Sequence, residues 1–455
     1  MSERTFDVIV IGAGPGGEVC AGRLGDAGLE VAVVERYLVG GECSFFACMP
    51  SKSLLRPAEA LAEARRVPGA AEALTGELDV RAVLERRDEV VHDLDDTAQL
   101  PWLETHGVTL VRGQARLDGE RRVLVGDEAL VARTAVVVAV GSDPLLPQIP
   151  GLAEAAPWTN RQATVAEDVP ARLVILGGGV VGVEMAQAFS SFGSRVTLLE
   201  GGPRVLAREE PFAAAQVAEA LERAGVDVRV STKALSVSRD ADGVTVELEG
   251  GESVSGDELL VAVGRRPPTA GLGLETVGLE PGKTIAVDDR CRAVGSDWLY
   301  AIGDVNGRAL LTHMGKYHGR IAADTILGKE RAIVSDGLRS PRVIFTDPQV
   351  CAVGHTEDSA REAGINVRVV EQETSGNAGG SFYGRGTVGT ARLVVDEDRG
   401  VIVGATITGS EVADFLHAAT IAVIGEVPLE RLYHAVPSFP TRSEVWLNLL
   451  NAYGV

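Results

Sequence analysis

The chain has 455 residues, 45% of them hydrophobic, enough to bury the cores of about three domains. Its 43 Lys and Arg against 64 Asp and Glu leave a net charge of −21, which argues against nonspecific nucleic-acid or anionic-membrane binding. Five cysteines (Cys20, Cys43, Cys48, Cys291, Cys351) are too few and too scattered for a secreted disulfide framework. The first residues lack the basic-then-apolar pattern of a signal peptide, and no apolar run reaches the roughly 18 residues that span a bilayer. The expectation is a soluble, cytoplasmic protein with no nucleic-acid or membrane partner.

In chain order, Phe6 to Ile11 is a short apolar run rich in β-branched residues and predicts a buried strand. It ends in a GxGxxG with glycines at Gly12, Gly14 and Gly17, followed by a helical pattern through Leu24 and a second strand, Val31 to Glu35. The glycines permit a tight turn and let a pyrophosphate approach the helix N-terminus, while Glu35 is placed to bond a ribose hydroxyl. A bare GxGxxG says little; strand, glycines, helix, strand and acid in this order predict a dinucleotide-binding unit.

Next comes Gly40-Gly41-Glu42-Cys43-Ser44-Phe45-Phe46-Ala47-Cys48-Met49-Pro50-Ser51-Lys52. On an ideal helix, residues five apart stand about 8–9 Å between Cα atoms, whereas a disulfide needs them closer than about 7 Å. A Cys43–Cys48 bridge therefore requires a distorted first turn, which the flexible Gly40-Gly41 pair permits. A helix start also favours a thiolate through its dipole. By spacing alone, two buried unpaired cysteines are the better reading.

Residues 53–100 read as amphipathic helices, and residues 108–140 as short strands leading to Gly141. Pro144, Pro147, Pro150 and Gly151 punctuate a crossing. The dinucleotide pattern then recurs: Leu173 to Leu176, glycines at Gly177, Gly179 and Gly182, a helix through Phe192, and Val196 to Glu200. Two such units imply two dinucleotide sites. Leu259 to Gly264 closes the second, and Leu299 to Asp304 is another strand ending in glycine and acid. From about residue 340, alternating strands and helices predict an α+β domain.

These motifs together resemble the pyridine nucleotide-disulfide oxidoreductases over essentially the whole chain. GGECSFFACMPSK is similar to that family's redox-active helix, AIGDVNG to its second FAD motif, and SPRVIFTDPQVCAVG to the opening of its interface domain, with Gln349 where an acid is usual. The resemblance implies FAD on Gly12, Gly14, Gly17 and Glu35, with Ala115 beside the adenine, Gly141 at the domain crossing, Asp304 on the ribityl chain and His313 near the ring. It implies the nicotinamide nucleotide on Gly177, Gly179, Gly182 and Gly264. Glu200, a carboxylate suited to a free 2′-hydroxyl, favours NADH over NADPH. Cys48 becomes the flavin-side sulfur and Cys43 the one that attacks substrate, with Lys52 by the flavin and paired to Glu184. No metal site is expected.

One departure stands out. The family ends in H-P-T-x-S-E, whose histidine moves protons at the partner subunit's site and whose glutamate orients it. Here the run is Phe439-Pro440-Thr441-Arg442-Ser443-Glu444, so a phenyl ring replaces the acid-base group. Such a group typically contributes about 10²–10⁴ in rate. Phe439 and Glu444 are therefore candidate site residues with altered roles, and His434 upstream reads as a surface histidine.

The expected fold class is α/β: two Rossmann-like dinucleotide-binding domains plus a C-terminal α+β dimerisation domain. The expected boundaries are an FAD-binding domain over 1–150, an NAD-binding domain over 151–272, a return to the FAD region over 273–338 and an interface domain over 339–455. The expected activity is an FAD-dependent NAD(P)H oxidoreductase carrying electrons through a Cys43–Cys48 disulfide to a small-molecule disulfide, in a homodimer with composite sites. Alternatives on the same scaffold are ketone-carboxylating, quinone-reducing or metal-ion-reducing chemistry. A reading of another class is a flavin-bearing interaction protein of low turnover.

Overall fold

The structure is a computed structural model and describes residues 2–455. Its residues cluster into two units. The first comprises the segment ending at Pro50 with Asp88–Pro144 and Arg265–Gly337. The second comprises Ser51–Arg87, Leu145–Gly264 and Leu338–Val455.

The first unit is built on a seven-stranded sheet. The β-branched opening forms β1 (Ser2–Ile11), and its last four residues, Val8 to Ile11, are buried, as a continuous apolar run in a parallel sheet must be. Helix α1 (Pro15–Asp26) crosses to β2 (Val31–Glu35), which pairs parallel to β1. Further on lie β3 (Val108–Arg112), β4 (Ala115–Leu117), β5 (Arg122–Val125) and β6 (Glu128–Val138). The order is β3-β2-β1-β6-β5-β4. Strand β6 forks: its start pairs antiparallel with β5, and its end pairs parallel with Leu299–Ala301.

Two helices carry the cysteines: α2 (Gly41–Phe45), and α3 (Cys48–Arg66), which continues into the second unit. Between residues 53 and 100 the expected helices appear as the body of α3, Val80–Val90 and short turns.

The second unit repeats the parallel pattern with β7 (Arg172–Leu176), α4 (Val180–Ser191) and β8 (Arg195–Leu199). Together with Asp227–Arg229 and Glu258–Val261 they form a four-stranded parallel sheet. Residues from 342 to 409 form a five-stranded antiparallel sheet, faced by helices Leu416–Ile424 and Glu444–Tyr453. Among the described residues no helix is long and apolar enough to cross a membrane. The first unit also contains α5 (Thr312–Ile326), which packs on α1.

Candidate active site

The glycines of the first motif serve different ends. Gly12 has φ +106°, and a Cβ on it would lie 2.5 Å from the Ala139 carbonyl oxygen. A Cβ on Gly17 would lie 2.0 Å from the Gly12 oxygen. Both are required by packing. Gly14 is different: its φ of −73° suits any residue, and a Cβ there would meet nothing within 4 Å. No side chain caps α1 at Gly14, so the first N–H groups of the helix face a space that a methyl group would fill. That is the cradle a pyrophosphate needs. Glu35 closes it, accepting the Ala13 N–H at 2.8 Å and the Tyr37 N–H at 2.7 Å. These residues fit the FAD that the motif implies.

The loop beyond Glu35 is pressed against this turn. Gly40 and Gly41 have φ of +107° and +61°. The Gly40 N–H donates to the Ala13 oxygen at 2.8 Å, and a Cβ on Gly41 would stand 2.8 Å from Gly14 Cα. Helix α2 stops at Phe46, whose φ of −134° is not helical, and α3 starts at Cys48. This break is the distortion that a Cys43–Cys48 bridge would require. It brings the Cys43 and Cys48 thiols into a hydrogen bond. Thr312, at the start of α5, holds both: its Oγ1 lies 3.2 Å from Cys48 Sγ, and it bonds Cys43.

The thiolate expected of Cys43 from its helix position is not favoured. The hydrogen bond with Cys48 pushes its pKa up, as do burial and the charge of Cys48, while Thr312 and Lys316 pull it down. A five-residue helix has too small a dipole to offset a second sulfur in contact.

Asp304 lies in the same unit, accepting from Ser142 Oγ at 2.5 Å; that hydroxyl in turn accepts from Arg265 Nε at 2.7 Å. Burial raises the Asp304 pKa, opposed by the Ser142 bond and the Arg265 charge. Gly141 has φ +68°. Ala115 is buried in β4, and His313 stands exposed on the first turn of α5.

In the second unit the glycine geometry repeats. Gly177 has φ +104° with the Ala262 oxygen 2.5 Å from a Cβ position, and Gly182 meets the Gly177 oxygen at 1.9 Å. Gly179 opens on nothing within 4 Å at an ordinary φ of −75°. Gly264 has φ +138°. Glu200 accepts from the Gly178 and Gly202 N–H groups, both at 2.6 Å. Arg204 turns to the Ala207 oxygen at 3.1 Å.

Lys52 donates to Glu184 Oε2 at 2.7 Å and lies 4.8 Å from the Phe345 ring centroid. Glu184 is buried, and its other oxygen accepts the Phe345 N–H at 2.9 Å. Gln349 donates to Glu59 at 2.7 Å and accepts the Ala413 N–H at 3.0 Å; an acid in its place would face the Glu59 carboxylate.

Phe439 is 76% exposed in the single chain. One carboxylate oxygen of Glu444 is shut off from solvent with no hydrogen-bond partner. His434 is exposed, edge-on to Tyr433. Sequence reasoning missed Thr312, Ser142 and Arg265. Thr312 adjoins His313 in a segment already marked; the other two carry no local signal.

Two glycine cradles, each closed by an acid, and a sulfur pair held at a helix break define a dinucleotide-dependent dithiol oxidoreductase. Residues 6–319 match the family described as pyridine nucleotide-disulphide oxidoreductase, and residues 340–450 match its dimerisation domain. The chain belongs to this family, whose members use FAD and a pyridine nucleotide. It is 35% identical to dihydrolipoyl dehydrogenase of Thermus scotoductus, over 97% of this chain and 96% of that one. It is 29% identical to mercuric reductase of Staphylococcus aureus, over 96% of this chain and 81% of the relative. Among solved structures, the HOCl-induced flavoprotein disulfide reductase RclA from Escherichia coli, known alone and as a Cu(II) complex, superposes with a TM-score of 0.86 at 26% identity, covering 98% of this chain and 99% of that one. The chain is thus an FAD-dependent oxidoreductase of the disulfide-reductase type.

Proposed function

We propose that the protein is an NADH-dependent reductase that passes electrons through Cys43 and Cys48 to a small-molecule disulfide. The observation that carries this reading is the thiol pair at the α2–α3 break, bonded to each other and to Thr312. The flavin supplies, when bound, two-electron exchange between nicotinamide and cysteine pair. Cys43 is the sulfur that attacks substrate and Cys48 the resolving sulfur. Lys52, fixed by the buried Glu184, is a cation held for the flavin side. Residues 1–150 with 273–338 form the FAD region, 151–272 the nucleotide domain and 339–455 the interface domain.

The preference for NADH rests on Glu200 and Arg204. Two backbone N–H groups fix the position of the Glu200 side chain, an acid that accepts a 2′-hydroxyl and repels a 2′-phosphate. Arg204, the nearby cation in sequence, is engaged by the backbone.

A homodimer with composite sites is supported by the match to the dimerisation domain and by apolar side chains that a single chain leaves open, among them Val436 and Phe439. Phe439 brings no proton to that site, so the preferred substrates are disulfides whose thiols leave readily as thiolates.

A second reading is favoured by the Cu(II) complex of the Escherichia coli relative: reduction of a soft metal ion by the dithiol. Two metal ions each take one electron, the cysteines become a disulfide and two protons are released, so no proton donor is needed.

The test is anaerobic NADH addition to the FAD-loaded enzyme. Two thiols per chain should become reactive to a thiol reagent, NADPH should act more weakly, and Cys48→Ser should lose disulfide turnover. A turnover screen with lipoamide, low-molecular-weight disulfides, quinones and Cu(II), run beside Phe439→His, separates the two readings. The variant should gain only disulfide turnover. Failure of NADH to generate thiols would overturn the reading.

A further inference from the structure

Reduction of a Cys43–Cys48 disulfide by one hydride equivalent leaves one thiol and one thiolate. Cys43 must carry the charge when it attacks substrate, and Phe439 brings no group to take its proton away. The first unit holds a means of moving that proton within the pair.

Thr312 is the first residue of α5. A threonine inside a helix commonly returns its hydroxyl to the carbonyl four residues back, as Thr325 of the same helix does to the Ile321 oxygen at 2.9 Å. Four residues before Thr312 stands Arg308, ahead of the helix. The Thr312 hydroxyl turns to the sulfurs instead: Oγ1 lies 3.2 Å from Cys48 Sγ and also bonds Cys43. Its place is fixed by the backbone contact of α5 with α1. A Cβ on Gly319 would lie 2.5 Å from the Gly16 oxygen, and one on Gly16 would lie 2.9 Å from the Gly315 oxygen.

Both cysteines are partly buried, so a thiolate on either depends on donors that the protein supplies. A hydroxyl has one proton to give and two lone pairs. Thr312 can therefore donate to one sulfur at a time while it accepts from the other. The bond between the two sulfurs keeps the proton on Cys43, whereas the bond from Thr312 favours the Cys43 thiolate. Lys316, exposed one turn along α5, acts in the same direction on Cys43 and also bears on Glu18 of α1. Of the remaining charged groups on these elements, Glu42 on α2 is turned to Arg265 at 3.6 Å and Lys52 on α3 to Glu184 at 2.7 Å.

We propose that the Thr312 hydroxyl follows the charge between the two sulfurs, donating to Cys48 while that is the thiolate and turning to Cys43 as the proton crosses to Cys48. The exchange yields an attacking thiolate without an outside base, and it rests on the disulfide-reductase reading. The Cys43 S–H bond breaks as a Cys48 S–H bond forms, and no electron moves in this step. The Cys43 thiolate attacks one sulfur of the substrate disulfide, and the other leaves as a thiolate. Cys48 then attacks the Cys43 sulfur, and its proton passes to the second departing sulfur. One substrate S–S bond is exchanged for the Cys43–Cys48 bond. The cysteines are oxidised, and the substrate leaves as one thiol and one thiolate.

The experiment follows Cys43 alkylation by iodoacetamide against pH on FAD-loaded, NADH-reduced enzyme, with the label located by peptide mapping and turnover of an aryl disulfide measured alongside. Thr312→Val keeps the shape and removes the hydroxyl. It should raise the pH of the alkylation step by about one unit and slow both alkylation and turnover about tenfold at neutral pH, the effect of one hydrogen bond to a charged sulfur. Thr312→Ser should restore the wild-type step. FAD content and NADH-generated thiols, counted in the same samples, separate loss of the hydroxyl from loss of the fold, and Thr312→Ala takes the place of the valine variant if that one fails to hold FAD. A variant without the hydroxyl that keeps the wild-type step and turnover overturns the proposal and leaves the reductase reading standing, as does a serine variant as impaired as the valine one. A wild type in which NADH generates no thiols overturns both.

Discussion

The two glycine-rich turns are near copies with different outcomes. Gly12 and Gly177 share a left-handed φ and the same 2.5 Å approach to a backbone oxygen. Gly17 and Gly182 are equally tight, and Gly14 and Gly179 are equally open. Each acid ties down the turn by accepting two backbone N–H groups. What differs is the chain that follows. After Glu35 it folds back over the turn through Gly40 and Gly41 and delivers a cysteine pair. After Glu200 it makes a short glycine turn and sends Arg204 to the backbone. The local packing makes the same glycine turn twice; the flanking loop decides whether a cysteine pair or a short glycine turn follows it.

That equivalence can be broken most severely at the tight glycines. Gly17→Ala and Gly182→Ala each force a methyl group onto a backbone oxygen and should cost about 3 kcal/mol or more, read as a fall in the urea midpoint. The open glycines should behave otherwise. Gly14→Ala should keep stability within about 0.5 kcal/mol yet lose FAD, measured as flavin per chain. Gly179→Ala should keep FAD and raise the KM for NADH instead. Equal loss of stability at all four positions would mean that the open glycines serve the fold and not a ligand.

A smaller difference lies in α5, which packs on the first turn. It carries the fully buried His318, whose Nδ1 accepts from the Gly303 N–H at 3.4 Å and the Asn306 Nδ2 at 3.3 Å. Its Nε2 has no partner. Burial, with Arg308 adding and Asp336 opposing, lowers its pKa to about 4. A histidine held neutral by folding gives stability that is complete above the ordinary pKa of 6.5 and lost as pH falls through about 4. The loss should reach roughly 3 kcal/mol. It should appear as an acid-side fall in the urea midpoint that His318→Gln flattens. Smallest is Glu200→Ala, which should narrow the NADH-to-NADPH ratio of kcat/KM by about tenfold, or about 1.4 kcal/mol. An unchanged ratio would remove Glu200 from nucleotide choice.

Much of the first unit was legible because its signals are local. The strand Val31 to Glu35 falls where the apolar run placed it, and Phe6 to Ile11 lies inside a longer β1. The helix break between Cys43 and Cys48 is the distortion that a bridge between them, the pairing the family resemblance implies, requires. The Cys43 thiolate was misjudged because the helix dipole is read from sequence, whereas the contact with Cys48 and the burial that outweigh it are not.

The sequence by itself determined two glycine-rich strand-to-helix turns, a cysteine pair that cannot be bridged on an unbroken helix, and the loss of the usual acid-base histidine. These depend on the conformational range of glycine, on the reach of a disulfide and on the inability of a phenyl ring to hold a proton, none of which needs a neighbour to be known. The tertiary structure alone decided which glycines face open space and that Thr312 grips both sulfurs. Those facts arise where α1, the cysteine loop and α5 meet, almost 300 residues apart in the chain, and burial there sets protonation in a way no local pattern encodes.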